Sequence, residues 1–316
     1  MKLVQRKIKG RAYLYLERTM RVGEKKWKKV YLYVGTKRPS GKELASLKKK
    51  LQKKVSDYIK KEIVGPNTQF LDAKTAMKLE RIKNSHANLL NSMDKANRAA
   101  FIERQRAQFI TNTNAIEGSR ITLDQTEKLL KLRRTYEADK DELEVLNMED
   151  CLSLYDQYLR KGAEIDEKML LRLHLALLKA IPGYEEHGGV WRTVNVFIRT
   201  SRYEFPHWKN VPGLMYKLLK WHSSNSGKMH PMELAARFHA MLVTIHPFAD
   251  GNGRMARLLM NYILQKNGFP FIDIPYERRD EYFATQEKAH FGDFQPFVNF
   301  LVAQMARDYK KMRMRF

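Results

Sequence analysis

Residues 246–257 read HPFADGNGRMAR and lie between two stretches whose apolar residues recur at helical spacing. The glycines on either side of Asn252 permit a tight turn with exposed backbone N–H groups. A glycine turn that opens a helix is an anion site, because its free N–H groups and the helix dipole both face the ligand. The stretch therefore predicts a phosphate-binding turn within a helical fold.

Charged side chains surround this turn in an order that suits a nucleotide. Arg254 and Arg257 can both reach an anion from the first turn of the helix, and two guanidinium groups suit a polyphosphate. Asp250 precedes the turn, and a carboxylate beside phosphates is a hard ligand for Mg²⁺. His246 titrates near neutral pH and can act as a base for an incoming hydroxyl. Each feature alone is common in structural roles, so the specific signal is their combination.

Length and composition exclude several classes of protein. The chain has 316 residues, of which 43% are hydrophobic and 30% charged, and no run of about 18 apolar residues predicts a membrane span. Residues 1–10 lack the apolar core of a secretory signal. Cys151 is the one cysteine, which excludes an internal disulfide and a cysteine-rich zinc site. We therefore expect a globular protein of a reducing cytoplasm, without a membrane partner.

The net charge of +24 is concentrated near the start of the chain. Residues 1–60 contain 20 of the 59 Lys and Arg but 4 of the 35 Asp and Glu, and so carry two-thirds of the excess charge. Such a distribution attracts polyanions such as nucleic acid or acidic protein surfaces. General solubility explains the same charge equally well, so both explanations stay open.

Residues 1–64 predict a small basic antiparallel sheet followed by a helix. Three stretches alternate in the manner of strands, with a turn at residues 21–24 before the last of them: residues 3–8, 12–17 and 29–34. Ser40 and Glu43 have the spacing of a capping box at the start of a lysine-rich helix. Residues 64–67, Val-Gly-Pro-Asn, interrupt this helix, and we place a domain boundary after residue 64.

The tyrosines of this module allow two interpretations. Basic residues are interspersed with Tyr13, Tyr15, Trp27, Tyr31 and Tyr33, a mixture that can hold backbone phosphates and stack on bases. In the second interpretation, the tyrosines pack on the helix while the charges face water. We favour the second for the tyrosines, and nucleic acid stays open as a partner of residues 1–64.

Residues 65–316 are expected to form an almost entirely helical domain. Apolar residues recur at helical spacing over nine stretches: residues 72–110, 123–133, 141–161, 166–180, 211–223, 231–245, 252–267, 278–290 and 293–312. Residues 188–198 differ, because two glycines precede alternating branched residues, and they predict a short β-hairpin. The expected fold class is therefore mainly α.

The stretch 246–257 resembles the signature of the Fic family. It matches HxFx(D/E)GNGRxxR at every defined position, and the resemblance extends over residues 105–305. It implies an all-helical Fic domain over residues 65–316, with a catalytic core near residues 160–305 and a short β-hairpin flap. The implied activity is the transfer of AMP from ATP, with Mg²⁺, to a Ser, Thr or Tyr hydroxyl of a target protein.

The resemblance implies a role for each polar residue of the signature. His246 would deprotonate the acceptor hydroxyl, and Asp250 would hold Mg²⁺ between the α- and β-phosphates. The turn and the helix start would bind the nucleotide, through backbone N–H groups or guanidinium groups: Gly251, Asn252, Gly253, Arg254 and Arg257. The backbone groups of the turn would act where charge develops in the transition state.

Two further regions resemble parts of Fic proteins. The flap would align an extended target segment by strand-like pairing, through Val194, Asn195, Val196, Phe197 and Ile198. Phe283 falls where an aromatic residue packs near adenine, and His290 falls where some relatives have an asparagine there. Some relatives have two tyrosines where this chain has Tyr282 and Phe283, so a hydroxyl contact would be missing. Phe283 is equally well explained as a core residue.

Residues 113–118 read TNAIEG and resemble the Fic inhibitory motif, (S/T)xxxE(G/N), which begins here with Thr113. In relatives with this motif, the glutamate, here Glu117, pairs with the second signature arginine, here Arg257, and ATP binds unreactively. The alternative is that Glu117 merely ends a helix. In some relatives the same glutamate positions water and removes AMP from the target. Relatives of this type are often regulated by dimer formation, so the resemblance also implies a homodimer.

Three functions therefore stay open from the sequence. The favoured one is an adenylyltransferase restrained by Glu117. The second is a hydrolase that uses Glu117 to remove AMP. The third is a nucleic-acid-binding regulator with a nucleotide-responsive Fic domain, which the presence of His246 and Asp250 disfavours because a sensor needs no base.

Overall fold

The computed structural model describes residues 1–21, 27–132, 138–199 and 201–314, apart from the side chains of Arg21 and Arg313. Within them it contains eleven α-helices and one three-stranded sheet, which confirms the mainly α fold class. The chain forms two compact units: Met1–Asn88 with Lys228–His230, and Leu89–Gly227 with Pro231–Phe316. The domain boundary expected after residue 64 stays a prediction. No helix in the described ranges has the length and apolar character needed to cross a membrane.

The three strands expected near the start of the chain are present and pair in sequence order. They are antiparallel: β1 (Lys2–Ile8), β2 (Arg11–Arg21) and β3 (Trp27–Gly35). Lys9 and Gly10 connect β1 to β2 with φ angles of 47° and 78°, as a two-residue hairpin turn requires. The turn expected at residues 21–24 lies outside the described residues from residue 22 onward.

Helix α1 (Gly41–Ile59) begins at the expected capping box. Ser40 N–H donates to the Glu43 carboxylate at 2.8 Å, and Glu43 N–H donates to Ser40 Oγ at 3.4 Å. A short π-helical turn, Lys60–Val64, continues the helix to Gly65, whose φ of 91° ends it. The start of this helix could therefore be predicted from the residues of the capping box alone.

The tyrosines of the sheet lie away from α1, so the interpretation that they pack on the helix is wrong. The core between sheet and helix is aliphatic and includes Leu16, Met20 and Val30 from the sheet with Leu51 and Val55 from α1. Successive strand residues point to opposite faces. The register therefore places the other set of residues on the opposite face: Tyr13, Tyr15, Tyr31 and Tyr33.

The stretch expected to be one helix over residues 72–110 is two helices, α2 (Ala73–Ser92) and α3 (Lys95–Ile116). Asp94 separates them, because its extended backbone and its side chain, which accepts Asn97 N–H at 2.8 Å, cap the start of α3. Apolar periodicity continues across this break, which is why the pattern alone missed it.

The remaining helices follow the predicted stretches closely. They are α4 (Leu123–Leu132), α5 (Lys140–Arg160), α6 (Glu167–Leu177), α7 (Val211–Asn225), α8 (Pro231–Ile245), α9 (Asn252–Lys266), α10 (Arg279–His290) and α11 (Gln295–Arg313). Single turns of 3-10 helix precede α7 and α10, at Trp208–Asn210 and Tyr276–Arg278. Buried side chains of α8 and α9 form the centre of the larger unit, which fixes the loop between these two helices.

The flap contains no β-strand in residues 188–199, so the expected hairpin is wrong. Arg192 organises the segment instead. Its backbone N–H donates to the Pro247 carbonyl at 2.9 Å, and its buried guanidinium donates to the carbonyls of His246, Val194 and Pro206. Through these hydrogen bonds, Arg192 occupies carbonyl groups that have no partner in a β-ladder.

A half-buried carboxyl pair, Asp273 and Asp308, joins the loop before α10 to α11. Asp273 N–H donates to Asp308 Oδ2 at 3.3 Å, and Gln304 Nε2 donates to both the Asp273 carbonyl and Asp308 Oδ1. Asn112 of α3 donates to Asp273 Oδ2 at 2.7 Å. Burial raises the pKa of Asp273 and of Asp308 to about 7, and the charge of Asp273 adds to the rise at Asp308.

We expect this pair to reduce stability as the pH rises from about 4 to about 7. The folded protein holds protons that the unfolded chain, with a carboxyl pKa near ~3.9, has already released. The stabilisation is fully present below the carboxyl pKa of the unfolded chain. As the pH rises from there through the pKa of the folded protein, the free energy of unfolding falls by up to ~1.4 kcal/mol per pH unit for each proton.

The measurement is the free energy of unfolding by urea at several pH values between 5 and 8. The difference between wild type and Asp308→Asn should fall as the pH rises. Asp280→Asn, which changes a carboxylate whose side chain is 98% exposed, is the control and should follow the wild-type profile. An Asp308→Asn profile parallel to that of wild type would contradict the prediction.

Candidate active site

The signature occupies the loop between α8 and α9 and the first turn of α9. His246 has a φ of 52°, a left-handed conformation that histidine rarely adopts. Gly251 caps α9 with a φ of 78°. Asn252 closes the loop, since its Oδ1 accepts Phe248 N–H and its Nδ2 donates to the Phe248 carbonyl, both at 2.9 Å. The Asn252 side chain thus fixes the shape of the loop. The sequence predicted only a backbone contact of Asn252 to phosphate.

We expect Gly251→Ala to destabilise the protein by about 1–3 kcal/mol, because a side chain at a positive φ is strained. A Cβ at this position would also lie 2.8 Å from Leu177 Cδ2. Gly213→Ala on α7 is the matched control, since its Cβ would meet no atom within 4 Å. Urea unfolding should show a loss for the first variant and no loss for the second. Equal stabilities would contradict this account of the turn.

His174 of α6 contacts the same loop and was not predicted from the sequence. Gly189 N–H donates to His174 Nδ1 at 3.0 Å, so His174 Nε2 carries the proton and donates to the Asp250 carbonyl at 3.0 Å. The His174 ring stacks on Phe248 with 3.6 Å between centroids. Burial lowers the pKa of His174 to about 4, which keeps the ring in the neutral form that this pattern requires. His174 therefore ties the flap to the loop.

The His246 ring is held in a defined tautomer. Nδ1 carries the proton, because it donates to the Val243 carbonyl at 3.2 Å, and Nε2 keeps its lone pair. Burial lowers the pKa of His246 to about 4, with a smaller lowering by Arg192 that opposes the effect of the Val243 carbonyl. His246 is therefore neutral at pH 7 and can accept a proton at Nε2.

Arg254 lies between two carboxylates. Its Nη2 is 2.9 Å from Asp250 Oδ2, and its Nη1 is 3.0 Å from Glu144 Oε1. Glu144 is a buried residue of α5 whose pKa is raised by that burial, against the charge of Arg254. The Asp250 side chain keeps 34% of its surface exposed. Arg254 therefore orients Asp250, the predicted metal ligand. Glu144 was not predicted from the sequence, because no local motif marks it.

Arg257 is fully buried and every nitrogen of its guanidinium has a partner. Nε donates to Thr113 Oγ1 at 2.7 Å, and Nη1 donates to Tyr282 Oη at 3.2 Å. Nη2 donates to the Thr113 carbonyl at 3.0 Å and to Glu117 Oε1 at 2.7 Å. The pairing of Glu117 with Arg257 that the resemblance implied is thus present, and Thr113 supports it from the same helix end.

Glu117 also lies against the N-terminus of α9. A Cβ on Gly253 would overlap Glu117 Oε1 and would lie 3.0 Å from Arg257 Nη1. The carboxylate therefore occupies the first turn of α9, where free N–H groups and the helix dipole favour an anion. Glu117 is also the C-cap of α3. The same residue therefore both ends a helix and fills the anion position at the start of α9.

The two residues expected near adenine both lie on α10. Phe283 is 42% exposed, so it is not a core residue. His290 Nδ1 donates to Thr244 Oγ1 at 2.8 Å and stacks on Tyr203 with 4.9 Å between centroids. Phe205 contacts the rings of both His290 and His246. An aromatic cluster thus connects His290 to the signature histidine.

The flap presents apolar side chains to solvent. Phe197 is 89% exposed and Val194 is 56% exposed, whereas large apolar residues are usually covered. Asn195 is also exposed, and its Oδ1 accepts Trp208 N–H at 3.0 Å. The outer edge of the flap is therefore an apolar surface beside the signature loop.

Known proteins share this fold and sequence. Residues 164–264 match the model of the Fic/DOC family. A protein named protein adenylyltransferase Fic from Drosophila grimshawi is 34% identical over 242 residues, which are 74% of this chain and 48% of that protein. A protein of the same name from Drosophila ananassae is 36% identical over 197 residues, 61% of this chain and 39% of that one. The chain spans about half the length of these relatives or less.

Solved structures agree with these matches. A Fic-domain-containing signalling protein from Bacteroides thetaiotaomicron superposes with a TM-score of 0.64 at 26% identity, over 72% of this chain and 94% of that one. Residues 134–508 of Fic-1 from C. elegans superpose with a TM-score of 0.65 at 24% identity, over 88% and 80% of the two chains. The signature, the fold and these matches agree: residues 164–264 of the chain belong to a domain of the Fic/DOC family.

Proposed function

We propose that this protein is a protein adenylyltransferase, which transfers AMP from ATP to a Ser, Thr or Tyr hydroxyl of a target protein. The observation that carries the proposal is the neutral His246, with its Nε2 lone pair available, on the loop that opens α9. Two relatives of the chain, 34% and 36% identical to it, are named protein adenylyltransferase Fic, which supports the same activity.

The reaction needs a base and an anion site, and the loop supplies both. The acceptor oxygen attacks the α-phosphorus of ATP while its proton passes to His246 Nε2. The bond from the α-phosphorus to the bridging oxygen breaks, and pyrophosphate leaves. The N–H groups at the start of α9 are placed to stabilise the charge that develops on phosphate oxygens.

Asp250 is the residue proposed to hold Mg²⁺. Mg²⁺ is commonly bound through one or two carboxylates together with substrate phosphates and waters, so one carboxylate beside the anion site can be enough. The ion, when bound, neutralises phosphate charge, and Arg254 keeps the Asp250 carboxylate oriented.

Glu117 is proposed to restrain the transferase in its resting state. Its carboxylate occupies Arg257 and the first turn of α9, where it would repel the terminal phosphate of ATP. The alternative, in which Glu117 positions water to remove AMP from a target, uses the same location and the same His246.

The partner proposals differ in what supports them. The exposed apolar edge of the flap supports docking of a target protein there. The charge of residues 1–60 supports nucleic acid as a partner. A homodimer and a cytoplasmic location are proposed from the resemblance and from the cysteine usage, respectively.

Mass spectrometry after incubation with ATP and Mg²⁺ tests the activity. Glu117→Gly should gain AMP on itself or on an added target, wild type should gain far less, and the Glu117→Gly, His246→Ala double variant should gain none. Removal of AMP from a pre-modified target by wild type, with no gain in any variant, would instead support the hydrolase. No gain in Glu117→Gly and no removal by wild type would contradict both enzymatic proposals.

A further inference from the structure

The sheet face that points away from α1 is both aromatic and cationic. The register places Arg6 beside Tyr13 and Tyr15 on this face, and places Tyr31 and Tyr33 beside them on β3. Tyr33 is 54% exposed. These rings lie outside the core packed against α1, which takes Leu16 and Val30 from the sheet instead. We define the tyrosine face as Arg6, Tyr13, Tyr15, Lys29, Tyr31 and Tyr33.

The rings of the tyrosine face are already ordered against one another. The Arg6 guanidinium lies 3.8 Å from the centroid of the Tyr31 ring and 5.4 Å from that of Tyr15. Tyr15 packs edge-on against Tyr33 with 5.5 Å between centroids. Side chains that are held before binding lose little conformational entropy when a ligand docks. The arrangement therefore suits a binding platform.

The charge of this face suits a polyanion. Arg6 and Lys29 are exposed, and the surrounding residues 1–60 carry a large excess of Lys and Arg. Glu17 is the carboxylate on this face, and it is buried, 4.0 Å from Lys29 Nζ, and accepts a hydrogen bond from Thr19. The accessible charges of the tyrosine face are thus positive.

The combination favours single-stranded over double-stranded nucleic acid. Stacking on an aromatic side chain needs a base with a free face, and bases in a duplex have both faces covered by their neighbours. Tyr31 and Tyr33 lie on one strand with Lys29, at ~3.4 Å per residue, so rings and charge follow one line along β3. A single strand can place bases on the rings and phosphates on the cations along that line.

We propose that the tyrosine face binds single-stranded nucleic acid without base specificity, through stacking on the exposed Tyr33 and phosphate contacts to Arg6 and Lys29. This inference extends the nucleic-acid partner proposed for residues 1–64 and is independent of the AMP transfer proposed for the other unit. A failure of one therefore leaves the other standing.

The test measures binding of the full chain to fluorescent oligonucleotides by anisotropy at ~0.15 M salt. The probes are a 12-nucleotide oligothymidine, the matching oligouridine and a 12-base-pair duplex. Binding of the single strands should exceed that of the duplex. Tyr33→Leu, which keeps an apolar side chain and removes the ring, should weaken single-strand binding about tenfold. Arg6→Gln should weaken it and reduce the slope of log affinity against log salt by ~0.7.

Lys49→Gln is the matched control, because Lys49 is an exposed cation of α1 on the other side of this module. It should change affinity little, and circular dichroism should show that all three variants fold. Preference for the duplex, or a loss in Lys49→Gln equal to that in Arg6→Gln, would overturn the assignment to the tyrosine face. So would the absence of binding to either single strand.

Discussion

Glu117→Gly is expected to raise the initial rate of AMP transfer by roughly 10- to 150-fold. That factor corresponds to the loss of one hydrogen bond to a charged group, worth about 1.5–3 kcal/mol. The bond in question joins Glu117 Oε1 to Arg257 Nη2 at 2.7 Å. When it is absent, Arg257 has a free donor for the terminal phosphate, and the first turn of α9 loses a competing anion.

The increase should come from the charge of Glu117 and not from a loosened helix. The matched variant is Glu117→Gln, which keeps the size and hydrogen-bonding capacity of the side chain but removes its charge. It should give an intermediate rate, because repulsion of the phosphate disappears while Arg257 keeps a weaker acceptor. Thr113 binds Arg257 through its hydroxyl and carbonyl, so it should hold the guanidinium in place in both variants.

Rates are measured as incorporation of labelled AMP at saturating ATP and Mg²⁺. Equal rates in wild type and Glu117→Gly would sink the proposal that Glu117 restrains the transferase. A lower rate of AMP release from a pre-modified target in Glu117→Gly would instead assign Glu117 to hydrolysis.

The sequence predicted the helical body well because its signals are local. Apolar periodicity gave the bounds of α8 without error, and the start of α9 followed from a glycine turn. Ser40 and Glu43 were recognised as a capping box three residues apart, and the structure contains it. Asp94 caps the start of α3, but apolar periodicity continues on both sides of it, so periodicity alone does not reveal the break between α2 and α3.

The errors arose where an alternating pattern has two physical explanations. In the sheet, both faces of β2 are apolar or aromatic, so the pattern does not tell which face meets α1, and the aliphatic face does. In the flap, residues 194–198 alternate like a strand, but the carbonyl groups near them bind the Arg192 guanidinium. An arginine without a local motif gives no sequence signal for such a role.

The sequence predicted those residues of the site that lie within the signature, residues 246–257. His246, Asp250 and Arg257 lie within the signature, and their neighbours in space come from distant helices. His174 contacts the Asp250 carbonyl across 76 positions of sequence, and neither its α6 environment nor its spacing marks it. Glu117 and Thr113 are distant contacts of Arg257 that the sequence did identify, because both belong to the inhibitory motif.

His246→Asn in the Glu117→Gly background is expected to lower the rate of AMP transfer by about 10²- to 10⁴-fold, the usual contribution of a general base. Asparagine can keep the hydrogen bond to the Val243 carbonyl that the Nδ1–H group makes at 3.2 Å, but it offers no basic nitrogen in place of Nε2. Thermal unfolding and ATP binding should stay near those of the parent variant, which separates loss of the base from loss of the loop.

The pH profile gives the base a second, independent test. Because burial lowers the pKa of His246 to about 4, the histidine stays neutral from pH 7 down to pH 5. The kcat/KM of Glu117→Gly, which reports the pKa values of the free enzyme, should therefore change little over this range, whereas a base with the ordinary histidine pKa of ~6.5 would lose roughly 25-fold. A 25-fold fall would show that the ring titrates as if exposed, and a His246→Asn variant as fast as its parent would remove His246 from the chemistry altogether. A flat profile together with a slow His246→Asn variant is the one result that a buried, neutral base at the start of α9 predicts.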